Sequence, residues 1–200
     1  MAEPGVSRGI SKVQYYTAAT LDGFIADEHH SLDWLFEVPH SGDEEGARSW
    51  DSFIAGVGVL TMGATTYEWM LEHHPEMRTG PEQWREFYGA RPAWVFTHRE
   101  LPPIPGVDIR FAQGPVQAAY DAMVAAVPDR NVWIVGGGDL VGQFDDAGLL
   151  DEIHVHITPV VLGAGAPLLP RRIISSRLAF REGGLVGQRL NVVLDVTRPG

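Results

Sequence analysis

The sequence predicts an α/β fold with a mostly parallel sheet, helices on both faces and an antiparallel C-terminal edge. Strand-like and helix-like stretches alternate over most of the 200 residues, which is typical of parallel strands joined by crossover helices. The last strand-like stretches follow one another directly, as antiparallel neighbours do. Several of the earlier strand-like stretches end in glycine, threonine or histidine. Sheets of this kind bind ligands beyond the carboxyl ends of their strands.

In the N-terminal half, Lys12–Thr20 is rich in β-forming residues and precedes the turn sequence LDG, so we predict a strand. FIAD is expected to continue this strand after a kink at Gly23. A helix is predicted to begin near Asp43, because acidic residues there precede apolar residues at helical spacing. The further elements predicted in this half are a strand VGVLTMG, helices ATTYEWMLEHH and PEQWREFYG, and a strand PAWVFT.

The C-terminal half continues the alternation and then changes to strands alone. A strand VDIRF precedes the alanine-rich helix PVQAAYDAMVAAV, and a strand NVWIV precedes the helix DLVGQFDDAGL. DEIHVHITPVVLG is predicted to be one strand. The segments SRLAFREGG and RLNVVLDVTRP are predicted to form a closing hairpin.

The composition indicates one globular domain over residues 11–200, preceded by a loose tail at residues 1–10. Hydrophobic residues make up 44% and charged residues 20% of the chain, which is ordinary for a globular protein. A net charge of −11 argues against a nucleic-acid-binding surface. The absence of cysteine excludes disulfides, thiolate zinc sites and cysteine nucleophiles. Without an apolar run of membrane length or a signal-peptide pattern, a cytoplasmic protein with no membrane partner is expected.

Three adjacent glycines, Gly136–Gly138, end the strand NVWIV and lead directly into a helix. Each glycine in an ordered element costs roughly 0.5–1 kcal/mol relative to alanine, so the run needs a reason. One interpretation is a tight turn that requires positive φ angles. The other is a surface without side chains, on which a ligand phosphate lies against backbone N–H groups at a helix N-terminus.

Two other strand ends carry polar residues suited to a phosphate. Thr65 and Thr66 follow Gly63 and can either cap the next helix or present hydroxyls to a ligand. Arg99, after Thr97 and His98, offers a guanidinium group that suits a phosphomonoester, although an exposed loop arginine is the alternative. Three strand ends that converge on one crevice favour the ligand interpretation.

Residues near the N-terminus are candidates for contacts with a planar ligand. Small residues at 17–19 would let a flat ring approach the strand, or would let a helix pack closely. Asp22 is expected to brace the turn that it forms with Gly23 rather than to take part in chemistry. Aromatic residues at 34, 36, 50 and 53 can line a pocket for a heterocycle or simply pack in the core.

The histidines do not indicate a metal site. His154 and His156 lie two apart on one strand and share a face, but no third ligand is evident. The pairs His29–His30 and His73–His74 are adjacent in polar loops and lack helical chelate spacing. We therefore expect core or interface histidines and no bound metal.

Taken together, the motifs AATLDGFIA, MGATTYE, VFTHR and VGGGDL…DEIHVHITPVVLGAGAPLLP resemble the dihydrofolate-reductase-like family. Within it, the chain resembles stand-alone relatives of the reductase domain of the bifunctional riboflavin-biosynthesis deaminase–reductase. The resemblance extends from about Lys12 to Val196 and keeps the order of the family's motifs. It implies a three-layer α/β/α fold with a mixed, mostly parallel sheet, and an NADPH-dependent oxidoreductase like dihydrofolate reductase or 5-amino-6-(5-phosphoribosylamino)uracil reductase.

The resemblance also implies where NADPH binds: the pyrophosphate at the glycine run and at the turn after Gly63, the 2′-phosphate near Arg99, and the nicotinamide near Ala18. The implied cofactor residues are Ala18, Ile25, Gly63, Ala64, Thr65, Thr66, Thr97, His98, Arg99, Val135, Gly136, Gly137, Gly138, Asp139 and Leu140. Tyr16, Trp34, Trp50 and Phe53 are the candidates for the substrate wall. Glu45 and Asp33 are the candidate proton donors.

The chain departs from the family's pattern at several positions. Ala64 stands where the family often has arginine, and Asp139 stands where dihydrofolate reductases can have a basic residue. Both changes weaken the preference for NADPH over NADH and leave Arg99 as its main support. The riboflavin-pathway reductases carry a lysine near the position of Tyr16, and the zinc deaminase half has no counterpart here.

The hypothesis from the sequence is an NADPH-dependent reductase of a small planar conjugated molecule, pteridine-like or pyrimidine-like. One alternative is a nucleotide-binding module of the same fold without catalysis. Another is a relative that uses a different redox cofactor. A homodimer is expected, with DEIHVHITPVVLG as its interface.

Overall fold

The computed structural model describes residues 11–38 and 43–198, apart from the side chains of 43–48. The strands are β1 Val13–Thr20, β2 Phe24–Ala26, β3 Val57–Gly63, β4 Ala93–Phe96, β5 Ile109–Ala112, β6 Asn131–Gly136, β7 Glu152–Thr158, β8 Ala166–Pro167, β9 Leu178–Val186 and β10 Arg189–Val196. The helices are α1 Asp33–Phe36, α2 Asp43–Gly56, α3 Ala64–His73, α4 Glu82–Tyr88, α5 Val116–Ala126 and α6 Gly138–Asp146. None of the described helices combines the length and apolar character needed to cross a bilayer.

Eight strands form one sheet in the order β5-β4-β3-β6-β1-β7-β10-β9. The strands from β5 to β7 in this order run parallel to one another. β10 is antiparallel to β7, and β9 is antiparallel to β10. The fold class predicted from the sequence, a mostly parallel sheet with an antiparallel C-terminal edge, is therefore confirmed.

Two hydrophobic cores lie on opposite faces of this sheet. One core includes Met123 of α5 and Phe144 of α6. The other includes Phe53 of α2, Met70 of α3 and Trp84 of α4. Helices therefore cover both faces and give three layers, because each face of the parallel strands carries apolar side chains that must be buried.

Two of the predicted strands differ from the structure. FIAD does not continue β1, because the chain turns at Gly23 with φ +86° and β2 pairs instead with the short strand β8. DEIHVHITPVVLG is a strand only as far as Thr158. Pro159 follows, and proline has no N–H to donate to a strand ladder.

Candidate functional site

A cleft of about 610 Å³ opens at the carboxyl ends of the parallel strands. This volume is in the range of small-molecule sites. The residues that the strand ends contribute to its lining are Thr17, Ala18, Gly63, Phe96, Thr97, Ala112, Val135 and Gly136. The first turn of α3, the first turn of α6 and the β2–β8 ribbon complete the cleft. It lies where the sequence predicts a ligand site, because parallel strands all end at one side of the sheet.

The three glycines after β6 serve different purposes. A β-carbon on Gly138 would lie 2.5 Å from the carbonyl oxygens of both Pro167 and Leu168, so close backbone packing requires glycine there. A β-carbon on Gly136 would lie 3.2 Å from the hydroxyl oxygen of Thr66. On Gly137 its nearest neighbour would be the Ile25 side chain at 3.9 Å, across the cleft. Gly137 thus leaves open space in the cleft itself.

The tight-turn interpretation of these glycines is wrong. None of the three is among the residues with positive φ, and Gly137 has φ −99° and ψ −179°, which are extended values. The peptide bond between Gly136 and Gly137 is cis. Gly137 is the N-cap of α6, with no side-chain cap. The amino end of α6 therefore faces the cleft with backbone groups, as an anion site at a helix N-terminus requires.

The start of α3 lies beside the glycine run. Gly63, and not a threonine, is the N-cap of α3, and it has no side-chain cap. The helix-cap interpretation of Thr65 and Thr66 is therefore wrong, and both residues lie in the cleft lining. Ala64 begins the helix and is not among the lining residues.

The end of β4 brings Thr97 and His98 into the cleft lining, but not Arg99. The Thr97 hydroxyl accepts a hydrogen bond from the Arg99 backbone N–H at 3.0 Å and donates one to the Arg99 carbonyl at 2.9 Å. The Arg99 side chain turns to Glu68, with Nη2 2.5 Å from the carboxylate oxygen. The guanidinium group is thus held by an ion pair and is not part of the cleft lining.

Ala18 and Ile25, expected beside a nicotinamide, also line the cleft. The turn between them is braced by Asp22, as the sequence predicts. Its carboxylate accepts hydrogen bonds from the Thr20 hydroxyl at 2.6 Å and from the backbone N–H groups of Leu162 and Gly163. These bonds, that from Thr20 first, lower the pKa of Asp22 and keep the brace ionised.

Asp139 and Leu140, after the glycine run, belong to the lining too. The Asp139 carboxylate accepts a hydrogen bond at 3.1 Å from Nη2 of Arg171, whose Nε also bonds Asp146. Arg171, which the sequence analysis did not single out, therefore offsets part of the negative charge that Asp139 places beside the glycine run.

The candidate proton donor Asp33 does not lie in the cleft lining. Asp33 is exposed in the first turn of α1 and is absent from the lining, although its neighbours Leu32 and Trp34 belong to it. The side chain of Glu45 lies outside the described residues.

Of the four residues proposed for a substrate wall, Trp34 lines the cleft and is 4% exposed. Tyr16, Trp50 and Phe53 instead pack together, with the Tyr16 ring 4.3 Å from Phe53 and 5.3 Å from Trp50. Burial in this cluster raises the pKa of Tyr16 to about 12. For these three residues the core-packing interpretation describes the structure.

The sequence analysis missed several lining residues. Gln113 and Gly114 follow β5, and the argument from strand ends would have found them had it been extended to that strand. Others come from helix faces, connecting loops and the short strand β8, where no sequence signal marks them: His30, Leu32, Leu35, Trp69, Met70, Tyr88, Gln143, Ala166, Pro167 and Pro170.

The histidines of β7 are partnered inside the fold. His154 Nε2 lies 3.0 Å from a Glu152 carboxylate oxygen, and His156 Nδ1 lies 2.6 Å from the Asn191 side-chain oxygen. Burial, the largest influence, lowers the pKa of His156. Among the side chains that the structure describes, in residues 11–38 and 49–198, no three histidine or acidic groups are arranged to hold a metal ion.

Comparison with known proteins agrees with this fold. Residues 88–186 match the family model of the RibD C-terminal domain. The chain is 28% identical over 181 residues to YwjB of Bacillus subtilis, an uncharacterized protein, and the match covers 90% of this chain and 95% of YwjB.

Two solved structures extend the comparison to the whole fold. A Shewanella sp. PV-4 protein that its name assigns to riboflavin biosynthesis superposes with a TM-score of 0.71 at 23% identity, over 95% of this chain and 100% of that one. Dihydrofolate reductase from Enterococcus faecalis, in complex with NADP(H) and RAB-propyl, superposes with a TM-score of 0.57 at 14% identity, over 96% of this chain and 98% of that one.

The sheet topology thus defines a dihydrofolate-reductase-like α/β fold. Within that fold class, residues 88–186 are similar to the RibD C-terminal (reductase) domain family.

Proposed function

We propose that the protein is an NADPH-dependent reductase that transfers a hydride to a small planar conjugated substrate, pteridine-like or pyrimidine-like. The observation that carries the proposal is Gly137, whose missing side chain leaves open the space between the amino end of α6 and Ile25. A dinucleotide needs such a surface, because its pyrophosphate must approach backbone N–H groups closely.

The residues present fit this cofactor. Gly137 and the amino end of α6 would hold the pyrophosphate, together with Thr65 and Thr66 of α3. Thr97 and His98 would lie at the adenosine end, and Ala18 and Ile25 at the nicotinamide end. The E. faecalis dihydrofolate reductase of the same fold was solved with NADP(H), and this supports the choice of nucleotide.

NADPH, when bound, supplies a hydride to an electron-poor carbon of the substrate. The protein would contribute alignment, which can lower a barrier by several kcal/mol. Trp34 and Trp69, which line the cleft, offer flat apolar surfaces for a conjugated ring. A positioned acid or a water molecule would deliver the proton.

A nucleotide-binding module without catalysis is the second candidate. It is favoured by the position of Asp33, which is exposed and is not among the residues that line the cleft. The two candidates differ in turnover and not in cofactor binding.

Titration of the purified protein with NADPH and NADH, read by quenching of tryptophan fluorescence and checked by calorimetry, tests the shared premise. Saturable binding is expected, and failure to bind either nucleotide would refute both candidates and favour a different cofactor. The two candidate functions are then distinguished by measuring whether NADPH is consumed in the presence of pteridine, pyrimidine, carbonyl and imine compounds. Stoichiometric binding without consumption would favour the binding module.

We also infer a homodimer, with an interface different from the one that the sequence suggests. β7 is paired on both sides, with β1 and β10, so it has no free edge. β9 lies at the end of the sheet order and is nine residues long. Its Phe180 and Leu185 are 77% and 73% exposed, on the face that also carries Leu190. A long edge strand with exposed apolar side chains is a typical surface for self-association, and a second copy would cover it.

A further inference from the structure

The ion pair between Arg99 and Glu68 lies next to Thr97 and His98, which the proposed function puts at the adenosine end of NADPH, although neither Arg99 nor Glu68 is itself a lining residue. It joins helix α3 to the segment that follows β4. Glu68 lies in α3, one turn after Thr65, and Arg99 follows Thr97 and His98 at the end of β4. The Arg99 side chain is 61% exposed and that of Glu68 is 38% exposed, so both groups are accessible to a ligand.

Glu68 occupies the atom of Arg99 that a phosphate needs most. A guanidinium group binds a phosphate bidentately through Nη2 with either Nε or Nη1. The Glu68 carboxylate already accepts one of the two hydrogen bonds that Nη2 can donate, at 2.5 Å. The Thr97 hydroxyl bonds the Arg99 backbone at both N–H and C=O, which fixes the backbone from which the arginine side chain extends. A phosphate at Arg99 must therefore displace Glu68 or share the guanidinium group with a second negative charge.

We propose that Glu68 is a cofactor-specificity residue that reduces the preference for NADPH over NADH by competing with the 2′-phosphate for Arg99. The inference rests on the proposed function, because it requires a nicotinamide nucleotide in the cleft. NADH has no 2′-phosphate, so it leaves the ion pair intact and loses nothing to Glu68.

The test compares Glu68→Gln with Glu72→Gln, a matched control that removes the same charge one turn further along α3 from an exposed position. Calorimetry measures binding of NADPH, NADH, adenosine 2′,5′-bisphosphate and adenosine 5′-monophosphate. In Glu68→Gln, affinity for the two ligands with a 2′-phosphate is expected to rise about fivefold, the scale of an exposed ion pair. Affinity for the other two is expected to stay within about twofold.

The substitution Arg99→Ala, alone and combined with Glu68→Gln, completes a double-mutant cycle. Adding it to Glu68→Gln is expected to abolish the gain, because Glu68 acts only through Arg99. If Glu68→Gln and Glu72→Gln raise the affinity for the 2′-phosphate ligands equally, general charge repulsion explains the effect and the inference is overturned. If Glu68→Gln binds NADPH more weakly, Glu68 positions Arg99 for the phosphate, and the inference is again overturned. If Glu68→Gln binds both nucleotides with an unchanged ratio of NADPH to NADH affinity, only this inference is refuted. If no variant binds any nucleotide, the proposed function is refuted as well.

Discussion

The carbonyl oxygen of Leu168 lies against Gly138, so that a β-carbon on this glycine would approach it to 2.5 Å. Real β-carbons do not come so close to backbone oxygen, and the obstacle is backbone rather than a flexible side chain. The β8 segment is therefore seated directly on the first turn of α6. This contact ties one wall of the cleft to the glycine run.

Gly138→Ala is expected to destabilise the fold by about 1–3 kcal/mol, the usual cost of overpacking. The added methyl group must push the backbone of 167–168 away from α6. Urea unfolding at neutral pH measures the change in the free energy of unfolding. An unchanged midpoint and slope would mean that the two segments do not pack as described.

Gly137→Val is expected to weaken NADPH binding while leaving the stability of the fold nearly unchanged. Its side chain would project into open space at extended backbone angles, so stability should change by less than about 1 kcal/mol, as for most substitutions that meet no obstacle. The isopropyl group would occupy the proposed pyrophosphate position and weaken NADPH binding by at least about tenfold, equal to ~1.4 kcal/mol. Gly184→Val is the matched control, because a β-carbon on Gly184 also meets no atom within 4 Å and Gly184 lies on β9, outside the cleft lining. Full NADPH affinity in Gly137→Val would contradict the proposed cofactor position.

Glu152 is 2% exposed and lies at the centre of a charge network whose partners Lys12 and Arg181 are 44% and 32% exposed. Burial by itself would raise the pKa of its carboxyl group. Hydrogen bonds from His154, Arg181, Lys12 and Gln14 outweigh burial and hold this pKa well below its ordinary range. Glu152→Gln is expected to cost about 2 kcal/mol at neutral pH, the scale of a hydrogen bond to a charged group.

The pH dependence of this cost has a definite sign. A carboxyl group whose pKa is lowered by folding stabilises the protein above its unfolded pKa, about 4.3 for glutamate. That stability is lost as pH falls below this value towards the folded pKa. The difference between wild type and Glu152→Gln should therefore be full at pH about 7 and shrink below pH about 4. Urea unfolding across this range would show a constant difference if Glu152 were not ionised in the fold.

Phe180→Ser should shift the protein from dimer to monomer in sedimentation at micromolar concentration. The substitution removes a large apolar side chain from the exposed face of the edge strand β9, and such anchors carry most of an interface's energy. Phe36→Ser is the control, because Phe36 is similarly exposed, at 66%, but lies on α1. A monomeric wild type would refute the homodimer, and a dimer that survives Phe180→Ser would place the interface elsewhere.

Much of the cleft could be predicted from the sequence. The positions of Gly63, Thr97 and Gly136 in the lining followed from one argument, that parallel strands separated by helices end at the same side of a sheet. Strand ends can be predicted from local patterns, because a strand shows apolar residues with a period of two or in a short run and ends at residues that interrupt this pattern.

The direction of individual side chains could not be predicted in this way. Tyr16 and Ala18 lie two apart on β1, yet Ala18 lines the cleft while Tyr16 packs beneath α2. Arg99 is next to His98 in the segment after β4, but its ion-pair partner Glu68 lies in helix α3, 31 residues away in the chain. Both outcomes depend on how α2 and α3 dock on the sheet.

The sequence by itself determined the order of strands and helices, the sheet class and the strand ends that form the cleft, because these rest on local periodicity and on the chemistry of glycine and proline. Only the tertiary structure decided why each glycine of the run is a glycine, which partner Arg99 has, and which edge of the sheet is exposed. These depend on contacts between segments far apart in the chain, and no local pattern encodes the distance between two backbones once they are packed.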